Sequence, residues 1–257
     1  MSEPTGFTID RTIDIRAPRE VVFRYFTDSG RFAAWWGEGS EIDPRPGGRV
    51  RIRYPGGVVA SGEVVEIDPP ERVVFTYGYE GGEPIPPGGS RVTIRLEPGN
   101  DGTRVHLRHE AKGVPADVGV EHVQGWRYQM ALFANVVSRE AQKDAAERID
   151  AFLAAWNEPD ENARRRLLET ATTEDVRFGD AFSCTSGRED LVAHLTAVQR
   201  FMPGMTLTRD GEVKECQGVA IARWVARAAD GAERGRGTNV FGLGPDGRIK
   251  LATGFWG

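Results

Sequence analysis

Asp180 stands in the run "VRFGDAF", where Val176, Phe178 and Asp180 fall on one face of a predicted strand of period two. Ionised carboxylates are seldom buried without a partner. Two readings follow. Either the strand continues and Asp180 lines a cavity, where a carboxylate among apolar walls can accept and return a proton. Or the strand bends at Gly179 and Asp180 caps the loop before Gly187. His194, in "LVAHL" on a predicted helix, can orient Asp180 or simply pack, as lone helical histidines commonly do.

The first half of the chain offers a different set. His106, His109 and Glu110 lie in "RVHLRHE", with His122 close by in sequence. A metal site needs three or four convergent ligands with orienting partners, and nothing in the spacing brings three of these together. The expectation is therefore no metal and no cofactor, with His109 as a hydrogen-bonded wall residue. Trp35 and Trp36 read either as a ligand platform or as core packing, the latter favoured by burial preference. Trp126 and Met130 share a helical face and read as cavity wall or core. Cys184 and Cys216 belong to no CxxC or Cys/His cluster and read as free thiols.

These residues need a scaffold, and the pattern supplies one. A strand over residues 7–16 stops at Ala17-Pro18, and "PREVVFRYFTD" has helical spacing. The runs "RVRIRY", "VVASGEVVEI", "RVVFTYGY", "RVTIRLE" and "TRVHLRHE" alternate between turn residues as an antiparallel meander. Val123, Trp126, Met130, Phe133 and Val137 then place one apolar face on a long helix. The loop "GGEPIPPGGS" reads as a lid or as a plain hairpin connection. From about Asp144 two amphipathic helices, the strand bearing Asp180, a third helix and four strand-like runs follow. Arg223 and Trp224 lie on opposite faces of one of these strands, so only one can face a pocket.

At 257 residues, 28% charged and 39% hydrophobic, the chain has the composition of a soluble globular protein long enough for two domains. Its net charge of −5 lacks the basic footprint of a nucleic-acid binder. No apolar run reaches the ~20 residues needed to span a bilayer, and the N-terminus shows no secretory pattern, so no membrane partner and a cytoplasmic location are expected.

The pieces "IRAPREVVFRYFTD", "WWGEG", "GGRVRI", "GEVVEIDPPERVVFTY", "GTRVHLRHE" and "GWRYQMALFANVV" resemble, in order, the AHSA1-like branch of the START/SRPBCC superfamily. That resemblance implies a helix-grip fold with a deep cavity between sheet and helix, used for hydrophobic ligands or for polyketide ring closure. The pieces "AWNEPD", "TEDVRFGD", "SGREDLVAHL" and "PDGRIKLATGFW" resemble the NTF2-like superfamily, particularly its SnoaL-like and ketosteroid-isomerase-like members. The fold class expected is α+β: a helix-grip domain over residues 1–140, then a cone-shaped NTF2-like domain over residues 141–257.

The second resemblance implies that Asp180 matches a general-base aspartate, Asn239 a hydrogen-bond-donating acid and Phe152 an oxyanion-hole tyrosine. Asn239 still donates through its amide, whereas Phe152 cannot. Loss of one such donor costs ~10²-fold or more in rate, so ketosteroid isomerisation itself is not expected. The same count puts Trp256 inside the pocket with Phe178, while strict alternation through Ile249 and Leu251 puts it outside. A bulge would reconcile the two. The expectation is binding of small hydrophobic or aromatic molecules, with cofactor-free cyclase, isomerase or hydratase chemistry as an option. The alternative is a non-catalytic carrier or sensor. A co-chaperone acting on an Hsp90 ATPase ranks last. A homodimer is implied by resemblance alone.

Overall fold

The structure is a computed structural model and describes residues 6–257. It is mixed α/β, with six helices, two large sheets and two compact units, the first ending at Ser138 and the second running from Arg139 to Gly257.

In the first unit, β1 (Gly6–Ile15) leads through α1 (Arg19–Arg24) and α2 (Ser29–Trp36) to a run of strands. These are β2 (Glu41–Ile42), β3 (Arg49–Arg53), β4 (Val59–Asp68), β5 (Arg72–Tyr79), β6 (Ser90–Gly99) and β7 (Gly102–Lys112). They form one antiparallel sheet in the order β1-β7-β6-β5-β4-β3-β2. Asp28 caps α2 by accepting from the Arg31 amide at 2.8 Å. The predicted long helix is α3 (Ala116–Ala141), which buries Trp126, Met130, Phe133 and Val137. Their i, i+4, i+7, i+11 spacing forms the apolar stripe that a helix needs to cover a sheet.

In the second unit, three residues separate the end of α3 from α4 (Ala145–Asn157), so a turn interrupts the helical join. It buries Ile149, Phe152, Leu153 and Trp156. Asp160 caps α5 (Glu161–Ala171), accepting from the Ala163 amide at 2.7 Å. Then come β8 (Thr172–Gly179), β9 (Cys184–Ser186), α6 (Arg188–Phe201), β10 (Thr206–Cys216), β11 (Val219–Arg227), β12 (Glu233–Leu243) and β13 (Ile249–Trp256), in the sheet order β10-β11-β12-β13-β8-β9. One pairing departs from a fully antiparallel sheet: β13 runs parallel to β8.

Two local features set the site in this unit. Opposite Gly242 and Leu243, β13 carries one extra residue, Lys250. This bulge shifts the alternation, so Ile249, Ala252 and Gly254 are buried while Leu251 and Phe255 face out. Trp256 therefore shares the inner face, as the reconciling bulge requires. The strand bearing Asp180 ends at Gly179, one residue earlier than continued alternation expects.

Candidate functional site

In the first unit a cavity of about 370 Å³ is walled chiefly by Trp36, Tyr54, Tyr77, Tyr79, His122 and Trp126. Pro84 of the Gly81–Ser90 loop joins the wall, and Ile85 beside it is fully buried. The loop is thus docked through Ile85.

Behind this wall runs a chain of hydrogen bonds whose direction is fixed by chemistry. Trp126 Nε1 donates to His109 Nδ1 at 2.9 Å. An indole only donates, so Nδ1 carries no proton and Nε2 does. His109 Nε2 donates to Ser90 Oγ at 2.8 Å, and Ser90 donates to the Tyr77 carbonyl at 2.7 Å. Burial, and next the neighbouring His122, lowers the His109 pKa to about 3, so the ring is neutral. His122 Nδ1 donates to the Val118 carbonyl at 2.8 Å, and its Nε2 bonds the Tyr79 hydroxyl at 3.3 Å. Tyr54 and Tyr77 share a hydroxyl–hydroxyl bond of 2.9 Å, and burial drives both hydroxyls above their ordinary pKa.

In the second unit a smaller cavity of about 280 Å³ is lined by Trp156, Phe178, His194, Trp224 and Trp256 among other apolar groups, with Asp180 and Asn239 as its polar floor. Trp224 faces inward and Arg223 outward. Trp224 Nε1 donates to Asn239 Oδ1 at 2.9 Å, which turns the Asn239 amide hydrogens toward other acceptors. The indole lies across β12 because position 237 is glycine: a Cβ there would come 2.5 Å from the Trp224 ring. Gly254 does the same for the floor, since its Cβ would meet Asn239 Oδ1 at 3.1 Å and Asp180 Cβ at 3.2 Å. Asp180 and Asn239 thus flank one glycine.

Both sequence readings of Asp180 describe part of its role. Oδ1 accepts from the Phe182 amide at 2.8 Å and so caps the loop after β8. Oδ2 accepts from Trp256 Nε1 at 3.2 Å on the cavity side. His194 lines the same cavity, edge-on to Trp156 and tilted beside Phe178, with ring centroids 5.8 and 6.2 Å away.

Four expected ligand contacts are placed elsewhere. Phe152 is fully buried between Phe178 and Phe241 and is core, because α4 turns it toward the sheet rather than the cavity. Met130 is core under α3. Trp35 packs on Phe133 at 4.8 Å, and its indole neighbour Trp36 alone reaches the first cavity. His109 stands one layer behind the wall, bonded to Trp126. The metal candidates diverge: His106 bonds Thr12 and Glu97, Glu110 pairs with Arg108, and no metal-ligating cluster exists among the described residues. Sequence reading missed Tyr54, Tyr77 and Tyr79. Their common signal was tyrosine just past the end of β3 and at alternate positions of β5. Trp156, which lines the second cavity, was not singled out either.

The family model for "Activator of Hsp90 ATPase homolog 1-like protein" matches residues 16–138. Among solved structures, an AHSA1-like protein of Rhizobium etli is 29% identical, covering 54% of this chain and 87% of its own, with a TM-score of 0.44. A SnoaL-like family protein of Agrobacterium tumefaciens is 28% identical, covering 46% of this chain and 98% of its own, with a TM-score of 0.42. The Aha1 dimer of Colwellia psychrerythraea is 19% identical, covering 48% and 90%, with a TM-score of 0.42. No curated protein matches the chain. Among the described residues no helix is long and apolar enough to cross a membrane.

Proposed function

We propose that this chain binds small apolar or aromatic molecules in its internal cavities and that the second cavity performs cofactor-free acid–base chemistry of the isomerase, cyclase or hydratase class. The observation that carries the reading is Asp180 beside Asn239 at the floor of an otherwise aromatic cavity. Asp180 takes the proton, the Asn239 amide donates to the oxygen on which negative charge develops, and His194 lines the far wall. Phe178 and Trp256 hold the substrate, and Trp36 and Trp126 hold a ligand in the first cavity. The helix order and the bulged final strand support an NTF2-like second domain, and residues 1–140 and 141–257 are proposed to fold independently.

The test is Asp180→Asn, screened with enones, epoxides and polyketide-like aromatics. Turnover should stop while ligand binding persists. Undiminished turnover removes Asp180 from the mechanism. For the first cavity the carrier reading is preferred, since Tyr54, Tyr77, Tyr79, His122 and Trp126 are each committed to a protein partner. A homodimer is the proposed assembly, with exposed Val219, Ile221, Leu251 and Phe255 on the outer face of the second sheet as support. Sedimentation over a concentration series checks it.

A further inference from the structure

The aromatic rings of the second cavity fall into two groups that differ in one respect. Around Asp180 and Asn239 the indole donors are matched: Trp224 to Asn239 and Trp256 to Asp180. Around α4 and α6 they are not. Trp156 Nε1 and His194 Nε2 are both buried from solvent and both lack a hydrogen-bond partner. The two rings lie 5.8 Å apart, each beside Phe178, and both line the cavity. Buried polar groups are almost always satisfied, so two unpartnered nitrogens on neighbouring rings of one cavity call for an explanation.

We propose that the ligand of the second cavity is an oxygenated aromatic or alicyclic molecule whose hydroxyl or carbonyl oxygen docks between Trp156 Nε1 and His194 Nε2. This rests on the binding reading above and adds the ligand class and its orientation. The donor count restricts the choice. Trp156 only donates, so the ligand must present an acceptor there. A carbonyl accepts from both nitrogens when Nε2 carries the proton. A hydroxyl accepts from Trp156 and donates to Nε2 when it does not. A pure hydrocarbon leaves both nitrogens unpaired. The oxygen is thereby held at the Trp156–His194 wall, and the rest of the ring system extends over Phe178 toward Asp180.

The experiment uses the full chain labelled with [15N]tryptophan, whose six indole signals are assigned by single Trp→Phe changes. It is titrated with 2-naphthol, 2-tetralone and naphthalene. The expected result is a downfield shift of the Trp156 indole proton with the two oxygenated probes and not with naphthalene. Their affinity should exceed that of naphthalene about tenfold or more, the scale set by leaving a buried donor unpaired. In Trp156→Phe the affinity ratio should fall toward one. Equal affinities in the wild type, or a ratio unchanged in Trp156→Phe, overturns the assignment while leaving cavity binding intact. If only the Trp36 and Trp126 signals move, or none does, the second cavity does not bind these probes and both readings fail there. Should Trp156→Phe not fold, the wild-type comparison decides alone.

Discussion

Trp126 Nε1 lies 2.9 Å from His109 Nδ1, and this one bond ties helix α3 to strand β7. Trp126→Phe keeps an aromatic body on the helix but leaves a buried imidazole nitrogen without its donor. The expected loss is about 1–3 kcal/mol of unfolding free energy, read by urea titration. A variant as stable as the wild type would show that the bond contributes nothing net.

The same imidazole makes stability depend on pH. Its folded pKa of about 3 lies below the ordinary 6.5, so the unfolded chain takes up a proton that the folded chain refuses. Stability is complete above pH 6.5 and falls as pH drops through that window, by up to about 1.4 kcal/mol per unit. Glu110, held below the usual carboxylate range by its hydrogen bond to Arg108, adds to the loss only at lower pH. The interval from pH 6 to 5 therefore reads His109 most directly, and His109→Gln should flatten it in thermal melts.

Gly125 sits on α3 at the first cavity, and a Cβ there meets nothing within 4 Å. Gly125→Leu should narrow the cavity from this helix position, where its Cβ meets no neighbour, and raise helix stability by roughly 0.5–1 kcal/mol. Binding of a hydrophobic dye to this cavity should drop while the melting temperature holds or rises. Met130, buried in the core, is the wrong place for such a test, since a charge there unfolds the unit.

Gly254 separates Asp180 from Asn239. Gly254→Ala forces one or both to yield by a few tenths of an ångström, because the new methyl would sit 3.1 and 3.2 Å from them. Any turnover should fall at least tenfold, on the general ground that acid–base geometry is this sensitive. The stability change should stay near 1 kcal/mol, as measured by urea unfolding. Full activity would place the chemistry away from this pair.

Much of this was legible in the amino-acid order, and the failures have a common cause. Alternation found β3, β6 and β7 because one face of each is buried, β5 stood out as an apolar run with consecutive Val73, Val74 and Phe75 all buried, and 3.6-residue spacing found α3, α4 and α6. The two-residue strand β2 is too short to show a period. Asp180 was legible as an anomaly on an apolar strand, and Asn239 only through the ketosteroid-isomerase-like resemblance. Cavity walls were not separable from core, because both ask for the same side chains. Phe152 and Trp156 occupy successive turns of one helix face, yet only Trp156 reaches the cavity. What distinguishes them is depth, which a periodic pattern does not encode.

The extra residue in β13 makes the final strand a counter that changes parity once. Before Lys250 the odd-numbered Ile249 points inward, and after it the even-numbered Ala252, Gly254 and Trp256 do. Were Lys250 instead paired as an ordinary strand residue, alternation from Ile249 would send the Trp256 indole to the outer surface. Asp180 would then lose its donor and the cavity one wall in the same step, with no change to either residue. The length of this strand, counted in whole residues, is therefore as much a part of the site as the side chains it delivers.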